Sequence, residues 1–349
     1  MNRTIVHVAS YGNPARGSFI PALERLARAA AAQGDRVAVV APTIENASWP
    51  ASLAEAGVEL RLIRTPWEAA IATRELSADI VHAHFSRYDV PVALAHATTG
   101  ARIFWHVHSA TIAAKHRDRL APLKSFVKHR IVGARVEAMI AVAEPVAREL
   151  LEWHVPPLKL HVIENGVDTD RFSLPTDAER ASARGALGIA ANERVLAFFD
   201  RSAVKGGATL REAMRELRGW RLLVVGGTSQ SRAAFGESPA VIPIERSHDT
   251  RQIYWAADAL AFPSFTEAHP YVLIEALSCG LPVAASDILV NAEITRGMPG
   301  VELFAAGDAA GLRRSVAALP LGRHPASRAL VRERFGIDRW TRRMMALYG

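Results

Sequence analysis

Short apolar runs alternate with helix-like segments along the whole chain, and this alternation restricts the possible folds more than any other feature. In the first half, the runs that predict strands lie at 5–9, 36–40, 59–63, 80–83, 103–107, 138–142 and 160–163. A segment with the apolar spacing of a helix, 20–33, follows the first strand, and another begins near Pro145. Strands and helices in alternation form a parallel sheet with helices on both faces. The pattern therefore predicts a doubly wound α/β domain.

A second set of the same kind follows a polar stretch, 168–184. Strands are predicted at 194–199, 221–225, 241–244, 259–262 and 282–285, and helices at 209–217, 250–256 and 271–278. We therefore predict domains at 1–167 and 191–330, joined by a linker at 168–190. Ligands of such sheets bind at the carboxyl ends of the strands, so we expect the site in a cleft between the domains.

Composition excludes several classes of protein. The chain has 349 residues, half of them apolar, and its single cysteine, Cys279, excludes an internal disulfide and a cysteine-only zinc site. Its net charge of +7 is spread over both halves, which does not indicate a nucleic-acid-binding domain. Because the sequence contains neither a membrane-length apolar run nor a signal-peptide core near Met1, we expect a cytoplasmic protein.

One segment, 115–135, concentrates basic residues among apolar ones and contains the single acid Asp118. Such runs are usually solvated helix faces. The same pattern is also typical of a helix that lies on an anionic membrane surface. The basic residues of the segment are Lys115, Arg117, Arg119, Lys124, Lys128, Arg130 and Arg135.

Two glutamates eight positions apart flank a predicted turn in the second half. A strand ends at Phe262, the following loop carries Glu267, and Pro270 begins a helix that carries Glu275. The free N–H groups at the start of a helix attract phosphate, and carboxylates accept hydrogen bonds from sugar hydroxyls. The spacing alone fits a nucleotide-sugar site as well as an ordinary strand, turn and helix with exposed glutamates.

Two cations, Arg201 and Lys205, stand just before Gly206 and after a predicted strand. They suit a diphosphate that gains charge as it leaves, although solvated charges at a helix start are the alternative. Lys205 is the only lysine after Lys159, which favours a required ammonium group. Gly226, at the end of another strand, is suited to close approach of a ligand to the backbone.

Two His-x-His pairs, His82/His84 and His106/His108, end strands that we predict to be neighbours. Positions i and i+2 of a strand face the same way, so several of these rings can converge. A metal site, buried core histidines and an acceptor site all remain open, and the sequence contains no H-E-x-x-H motif. We interpret His82 and His106 as buried residues with satisfied ring nitrogens.

The segment 267–287, EAHPYVLIEALSCGLPVAASD, resembles the E-x7-E motif of glycosyltransferase family 4. Segments 79–84, 105–109, 162–172 and 201–206 also resemble that family, and 334–348 resembles its last helices. Arg201 lies one residue closer to Lys205 than the family pattern has it. The resemblance implies the GT-B fold, with two Rossmann-like domains facing across a cleft and the segment 331–349 crossing back to the first domain.

The resemblance also implies an activity: retaining, metal-independent transfer of a hexose from a UDP- or GDP-sugar to a polysaccharide or lipid-linked oligosaccharide in bacterial surface glycan synthesis. No cofactor is expected, and Asp168-Thr169-Asp170 is interpreted as a turn rather than a metal motif. Contact with the inner face of the cytoplasmic membrane through 115–135 is a further expectation. Alternatives are a histidine-bound metallohydrolase and a non-catalytic GT-B-like protein that binds nucleotide sugars.

The resemblance also implies roles for the individual site residues. It implies that Lys205 and Arg201 bind the diphosphate, Glu267 the transferred sugar and Glu275 the ribose. The backbone near the phosphates would come from Val272, Leu273, Gly206 and Gly226. On the acceptor side it implies catalytic His108, with His84, Ser109 and the Gly17 backbone beside the acceptor.

Overall fold

The computed structural model describes residues 2–109, 120–200, 202–226, 235–236, 238, 240–245 and 249–349. The chain forms two compact units, each with its own sheet. Unit 1 comprises residues 1–166 and 337–349, and unit 2 comprises residues 167–336. Among the described residues, no helix combines the length and apolar character that crossing a membrane requires.

Unit 1 is built on a seven-stranded parallel sheet in the order β3-β2-β1-β4-β5-β6-β7. Helices cover both faces of such sheets, which explains why the central strand β1 is buried along its whole length and apolar except at Thr4 and His7. The strand order reverses between β1 and β4, so the carboxyl ends of these two strands mark the switch point of the sheet. The strands are β1 Thr4–Ala9, β2 Arg36–Pro42, β3 Glu59–Ile63, β4 Ile80–His84, β5 Arg102–Val107, β6 Ala138–Ala141 and β7 Leu160–Val162.

The last helix of the chain, Ile337–Tyr348, belongs to unit 1 and packs against the first helix, Phe19–Ala31. It buries Trp340, Met344 and Tyr348. The Arg3 guanidinium donates to the carbonyl oxygen of Tyr348 at 2.8 Å, so this end is fixed to β1. The other described helices of unit 1 are Trp49–Glu55, Pro66–Glu75, Asp89–Ala95, Ala121–Phe126 and Glu144–Glu152, with a π-helical turn at Val127–Ile131 and 3₁₀ turns at Val132–Arg135 and Pro157–Lys159.

Unit 2 repeats the architecture with six parallel strands in the order β10-β9-β8-β11-β12-β13. Its switch point lies between β8 and β11. The strands are β8 Arg194–Phe199, β9 Trp220–Val225, β10 Val241–Ile244, β11 Ala259–Phe262, β12 Val283–Ser286 and β13 Val301–Phe304. The described helices are Asp177–Ala186, Gly207–Met214, Arg251–Ala256, Tyr271–Ser278, Leu289–Thr295, Ala309–Ala318 and Pro325–Phe335, with a 3₁₀ turn at Ala203–Lys205. The predicted class, two doubly wound parallel-sheet domains, is confirmed.

The linker predicted at 168–190 is wrong, because Asp177–Ala186 is a helix of unit 2. It begins with a capping box in which Thr176 and Glu179 satisfy each other's backbone N–H groups. Arg180 and Arg184 attach it by donating to the Asp258 carboxylate at 2.6 and 3.3 Å. The segment that returns to unit 1 also differs from the predicted 331–349, since it starts at Ile337.

Candidate active site

In unit 2, one ion pair joins the two loops that flank the switch point. The Lys205 ammonium donates to Oε1 of Glu267 at 2.6 Å, linking the loop after β8 to the loop after β11. The Glu267 side chain is 8% exposed and that of Lys205 25%, so the pair is largely shielded from water. A backbone hydrogen bond from Phe265 N–H to the Val204 carbonyl, 2.8 Å long, reinforces the connection.

Gly206 allows these loops to approach closely. Its φ is +77°, in the left-handed region that residues other than glycine rarely adopt. A Cβ at this position would lie 2.0 Å from the carbonyl oxygen of Pro263, which begins the opposite loop. The glycine therefore places Lys205 beside Glu267.

The helix Tyr271–Ser278 starts just beyond this ion pair. Its N-cap residue is Pro270, whose side chain offers no acceptor to the N–H groups of the first turn. Val272 and Leu273 are the second and third residues of this helix, so their backbone N–H groups lie in the turn that can receive an anion. Val272 is half-buried and Leu273 is fully buried. The motif's second glutamate, Glu275, lies about one helical turn beyond this end, four positions after Tyr271.

Glu275 is buried and accepts a hydrogen bond from the Tyr254 hydroxyl at 2.7 Å. Tyr254 belongs to the helix Arg251–Ala256 and is itself buried. Sequence reasoning did not identify Tyr254, because nothing in the spacing of 254 and 275 relates the two side chains. The bond fixes the carboxylate of the second motif glutamate.

The end of β9 brings a third loop to this edge. A Cβ on Gly226 would lie 2.0 Å from the carbonyl oxygen of Asp200, so the two backbones touch. Asp200 is buried, and its burial raises the pKa of its carboxyl. This residue was also missed by sequence reasoning, although its place directly after β8 is a signal that could have found it. Arg201 lies outside the described residues.

In unit 1, five histidine rings gather at the carboxyl ends of β1, β4 and β5. His7 of β1 is paired in register with His82 of β4, and His84 is paired with His106 of β5. The rings of His82 and His84 stack with centroids 4.2 Å apart, and those of His106 and His108 with centroids 4.1 Å apart. The predicted convergence of the two His-x-His pairs therefore occurs, and His7 joins them.

Hydrogen bonds run between these rings. His7 Nδ1 and His84 Nε2 are 2.9 Å apart, and His84 Nδ1 and His108 Nε2 are 3.0 Å apart. His82 Nδ1 bonds to the Tyr348 hydroxyl at 2.5 Å, so the last helix reaches this cluster. We call His7, His82, His84, His106 and His108 the histidine cluster.

Burial keeps the inner rings of the histidine cluster neutral. It lowers the pKa of His7 to about 3 and the pKa values of His82, His84 and His106 well below their ordinary value. Within the described part of the chain, Nε2 of His82 and both nitrogens of His106 have no hydrogen-bond partner. The prediction that His82 and His106 are buried is confirmed, but the prediction of satisfied nitrogens is wrong, since only Nδ1 of His82 is bonded.

Two triplets of the histidine cluster have a donor set that suits a metal ion. His7, His82 and His84 form one, and His84, His106 and His108 the other, with one ring nitrogen from each residue within 4.8 Å of the others. Neutral imidazoles are ligands for zinc-like ions. By contrast, Asp168 uses its carboxylate within a turn, accepting from the N–H groups of Asp170 and Arg171.

The loop after β1 leads to Phe19, which contacts His108, the outermost ring of the histidine cluster. Gly17 has a φ of +53°, and a Cβ there would be 2.8 Å from the Tyr11 hydroxyl. The next aromatic residue, Phe19, contacts His84 and His108 edge-on, with centroids 5.1 and 5.7 Å apart. Ser109 is exposed beside His108. Unit 1 thus brings together His84 and His108, two of the residues assigned to the acceptor side.

The basic segment is described from residue 120 onward, and Lys115, Arg117, Asp118 and Arg119 lie outside the described residues. Lys128 does not belong to an exposed basic face, because its ammonium pairs with the buried Asp89 carboxylate at 2.7 Å. Five large apolar side chains are nevertheless exposed here, between 41% and 60%: Leu120, Leu123, Phe126, Val127 and Ile131.

Comparison with known proteins identifies matches in both units. The family described as Glycosyltransferase Family 4 matches residues 22–171, and the family described as Glycosyl transferases group 1 matches residues 193–319. A curated D-inositol 3-phosphate glycosyltransferase from Mycobacterium sp. (strain KMS) is 32% identical over 244 residues, which are 60% of this chain and 52% of the relative. The chain spans about half the length of the curated relatives it matches.

Solved structures resemble the whole chain. Anabaena HepE, crystallised with UDP and glucose, superimposes with a TM-score of 0.82 at 17% identity over 99% of both chains. Sucrose-phosphate synthase from Thermosynechococcus elongatus gives a TM-score of 0.80 at 19% identity over 99% of this chain and 98% of that one.

These likenesses, with the two parallel sheets and their loops, define the chain as a protein of the GT-B fold. Within that class, the chain belongs to glycosyltransferase family 4.

Proposed function

We propose that the protein is a retaining hexosyltransferase that uses a UDP- or GDP-sugar and needs no metal ion. Unit 2 would bind the donor, and unit 1 would bind a polysaccharide or lipid-linked oligosaccharide of the bacterial surface. The observation that carries the proposal is the Lys205–Glu267 ion pair at the switch point, beside the start of the helix Tyr271–Ser278.

The ion pair provides the charges that sugar transfer needs. A diphosphate at the carboxyl ends of β8 and β11 would meet the Lys205 ammonium, joined by Arg201 in the same loop, as negative charge builds on the leaving group. Glu267 would then accept hydrogen bonds from hydroxyl groups of the sugar. Because Lys205 already supplies the positive charge, the proposal requires no divalent ion at the leaving group.

Other residues of unit 2 would hold the rest of the donor. The N–H groups of Val272 and Leu273 lie in the first turn of the helix Tyr271–Ser278 and suit a phosphate oxygen. The Tyr254 hydroxyl holds the Glu275 carboxylate in one position, as recognition of ribose hydroxyls requires. Gly206 and Gly226 allow backbone to approach the donor closely.

Relatives support a nucleotide sugar as the donor. HepE was crystallised with UDP and glucose and also with UDP-glucose. The curated relatives act on an inositol phosphate by name, whereas the acceptor class proposed for this chain rests on the family resemblance alone. There, His108 would contact the acceptor and the transferred sugar, with His84, Ser109 and the Gly17 backbone beside it.

The binding experiment measures UDP, GDP and ADP affinity by calorimetry, with and without EDTA. Lys205→Ala should weaken binding of the preferred diphosphate roughly 10- to 100-fold, since a hydrogen bond to a charged group contributes about 1.5–3 kcal/mol. Lys124→Ala, in unit 1, is the matched control and should bind like the wild type. Equal affinities of the Lys205→Ala variant and the wild type would refute the donor site.

The reaction is tested with the nucleotide sugar whose nucleoside diphosphate binds most tightly in the binding experiment. NMR of the product should show that the anomeric configuration of the donor is kept, and the rate should survive EDTA. An inverted product would refute retention, and loss of the rate in EDTA would refute metal independence.

A histidine-bound metallohydrolase is the second candidate, favoured by the two histidine triplets described above. It predicts tightly held zinc in the purified protein and hydrolysis that EDTA abolishes. Metal analysis of the purified protein separates the two, because the transferase requires no stoichiometric metal.

We further propose that the described part of the basic segment rests on the inner face of the cytoplasmic membrane. Its exposed apolar side chains would enter the lipid surface while Lys124 and Arg130, both exposed, face anionic headgroups. Leu123→Glu with Ile131→Glu should abolish flotation with phosphatidylglycerol vesicles. Leu289→Glu, at an exposed leucine of unit 2, is the control, and unchanged flotation of the double variant would refute the contact.

A further inference from the structure

Two consecutive residues directly after β4, Phe85 and Ser86, have a left-handed backbone. Their φ values are +66° and +60°. A bulky residue such as phenylalanine rarely adopts this conformation, because its Cβ crowds the neighbouring carbonyl oxygen. The Arg87 N–H donates to the Phe85 carbonyl oxygen at 2.8 Å, which closes a three-residue turn about Ser86. With a positive φ at its centre, this is the rare and strained form of the γ-turn.

The strained turn changes the direction of the Phe85 side chain. In a continued strand, Phe85 would point to the face of the sheet opposite to His84, since side chains alternate. Instead its ring lies against the ring of His108, with centroids 4.5 Å apart, and meets the ring of Phe19 edge-on at 5.1 Å. The turn therefore carries the Phe85 ring to the face that holds the histidine cluster. Strain that persists in a folded protein is concentrated at functional sites.

The Phe85 ring lies where unit 1 can receive a ligand. It follows β4, which borders the switch point of the sheet, and ligands of such sheets bind there. Phe85 is half-buried, so part of it is accessible to solvent, and His108 is half-buried as well. Tyr11, in the loop after β1, adds a further aromatic ring with its centroid 6.3 Å from that of Phe85. A flat apolar ring thus lies beside a polar imidazole ring at this edge.

We infer that Phe85 binds the acceptor by stacking on the apolar face of a pyranose ring. A pyranose presents C–H groups on its faces and hydroxyl groups around its rim, which matches an aromatic ring that adjoins a polar side chain. The hydroxyl groups would reach His108 and Ser109. The strained turn would hold the Phe85 ring in its binding position before the acceptor arrives, which reduces the cost of ordering it. This inference rests on the proposed function and names the chemical group that the acceptor offers to unit 1.

The test is NMR of the full chain with three probes, the methyl glycosides of glucopyranose, galactopyranose and mannopyranose, in the presence of UDP or GDP. The protein is deuterated except for its phenylalanine rings, and the Phe85 signals are identified by their loss in Phe85→Tyr. We expect nuclear Overhauser effects between the Phe85 ring protons and the C–H protons of at least one glycoside. A residue that only supports the fold would not give this contact.

Affinities from the same titrations test the contribution of the ring. Phe85→Leu keeps an apolar side chain without a ring and should weaken glycoside binding roughly 2- to 10-fold, the value expected for one aromatic contact. Phe85→Tyr keeps the ring and should bind like the wild type. Trp67→Leu is the matched control, because it removes an exposed aromatic ring from the helix Pro66–Glu75, and it should leave glycoside binding unchanged.

Four results would overturn the inference. They are binding of none of the three glycosides, equal glycoside affinities of Phe85→Leu and the wild type, an equal loss of affinity in Trp67→Leu, and contact of Phe85 with inositol 3-phosphate but with no glycoside. If Phe85→Leu does not fold, the Overhauser effects of the wild-type ring decide, and their absence from a bound glycoside would overturn the inference.

This binding test does not depend on transfer. Glycoside contact with Phe85 in a protein that transfers no sugar would refute the proposed function and leave the aromatic site standing. An active transferase whose Phe85 contacts no glycoside would refute the aromatic site alone.

Discussion

Replacing Gly206 with alanine should separate the two loops that carry Lys205 and Glu267. The φ of Gly206 is +77°, and the new Cβ would lie 2.0 Å from the Pro263 carbonyl oxygen. Real Cβ atoms do not approach an oxygen so closely, so either the backbone at 206 rotates or the Pro263 loop moves. Both changes lengthen the 2.6 Å contact between Lys205 and Glu267.

The magnitude follows from the backbone strain. A side chain in the left-handed region costs about 1–2 kcal/mol. For a folding unit of this size, 1 kcal/mol lowers Tm by about 2–4 °C, so the Tm of unit 2 should fall by about 2–8 °C. Nucleotide affinity should also fall, because the displaced ammonium no longer faces the diphosphate.

Calorimetric unfolding and UDP or GDP titration together check this prediction, and the neighbouring glycine is its control. A Cβ on Gly207 would be 3.7 Å from its nearest atoms, an ordinary contact, and Gly207 has no left-handed φ. Gly207→Ala should keep or slightly raise Tm, because alanine favours the helix that starts there. If the Gly206→Ala and Gly207→Ala variants unfold together and bind nucleotide equally well, the reasoning about the loops is refuted.

Three further predictions concern buried polar groups. Tyr254→Phe removes a donor to the Glu275 carboxylate and should cost about 1–3 kcal/mol in urea unfolding and weaken nucleotide binding; an unchanged urea midpoint would contradict this. Lys128→Ala leaves the buried Asp89 carboxylate without its cation and should cost about 3–5 kcal/mol, with much of the loss recovered when Asp89→Asn is added; a double variant as unstable as the single one would count against the pair. Burial lowers the pKa of His7 to about 3 in the folded chain, against about 6.5 in the unfolded chain. The contribution of His7 to the free energy of unfolding is therefore complete above pH 6.5. It is lost as pH falls toward 3, by up to about 1.4 kcal/mol per pH unit. Urea midpoints at pH 7 and pH 5 should therefore differ less for His7→Phe than for the wild type, and equal differences would argue against the shift.

The sheets were largely predictable from the sequence because parallel strands are buried on both faces. That burial requires apolar runs, which is why the bounds 194–199 and 259–262 coincide with β8 and β11. The bounds 241–244 coincide with β10, although this edge strand is only half-buried. The helix at 271–278 was predicted correctly as well, since Pro270 marks its start. Local chemistry sufficed for these elements.

The helix at Asp177–Ala186 could not be recognised by the same means. Arg180 and Arg184 attach it through the Asp258 carboxylate and nearby carbonyl oxygens rather than through an apolar stripe. The apolar pattern alone therefore resembles a linker, although the capping-box residues Thr176 and Glu179 are a local signal that could have found the start of this helix.

The candidate sites were predicted in part. Motif spacing placed Glu267 and Lys205 in loops of one sheet edge, and the structure brings the two side chains together. The role of His7 was not predicted, because a single histidine in an apolar strand has no local pattern. Its partner His84 follows 77 positions later and is brought near only by the pairing of β1 with β4.

The return of the helix Ile337–Tyr348 to unit 1 has a consequence for synthesis on the ribosome. Unit 2 is one uninterrupted segment, 167–336, and can close as soon as it has emerged. Unit 1 emerges first but cannot close until residues 337–349 arrive, because Tyr348 fills its core and bonds to His82. The first-made half of the chain therefore lacks the helix that packs against Phe19–Ala31 until the whole second unit has been translated.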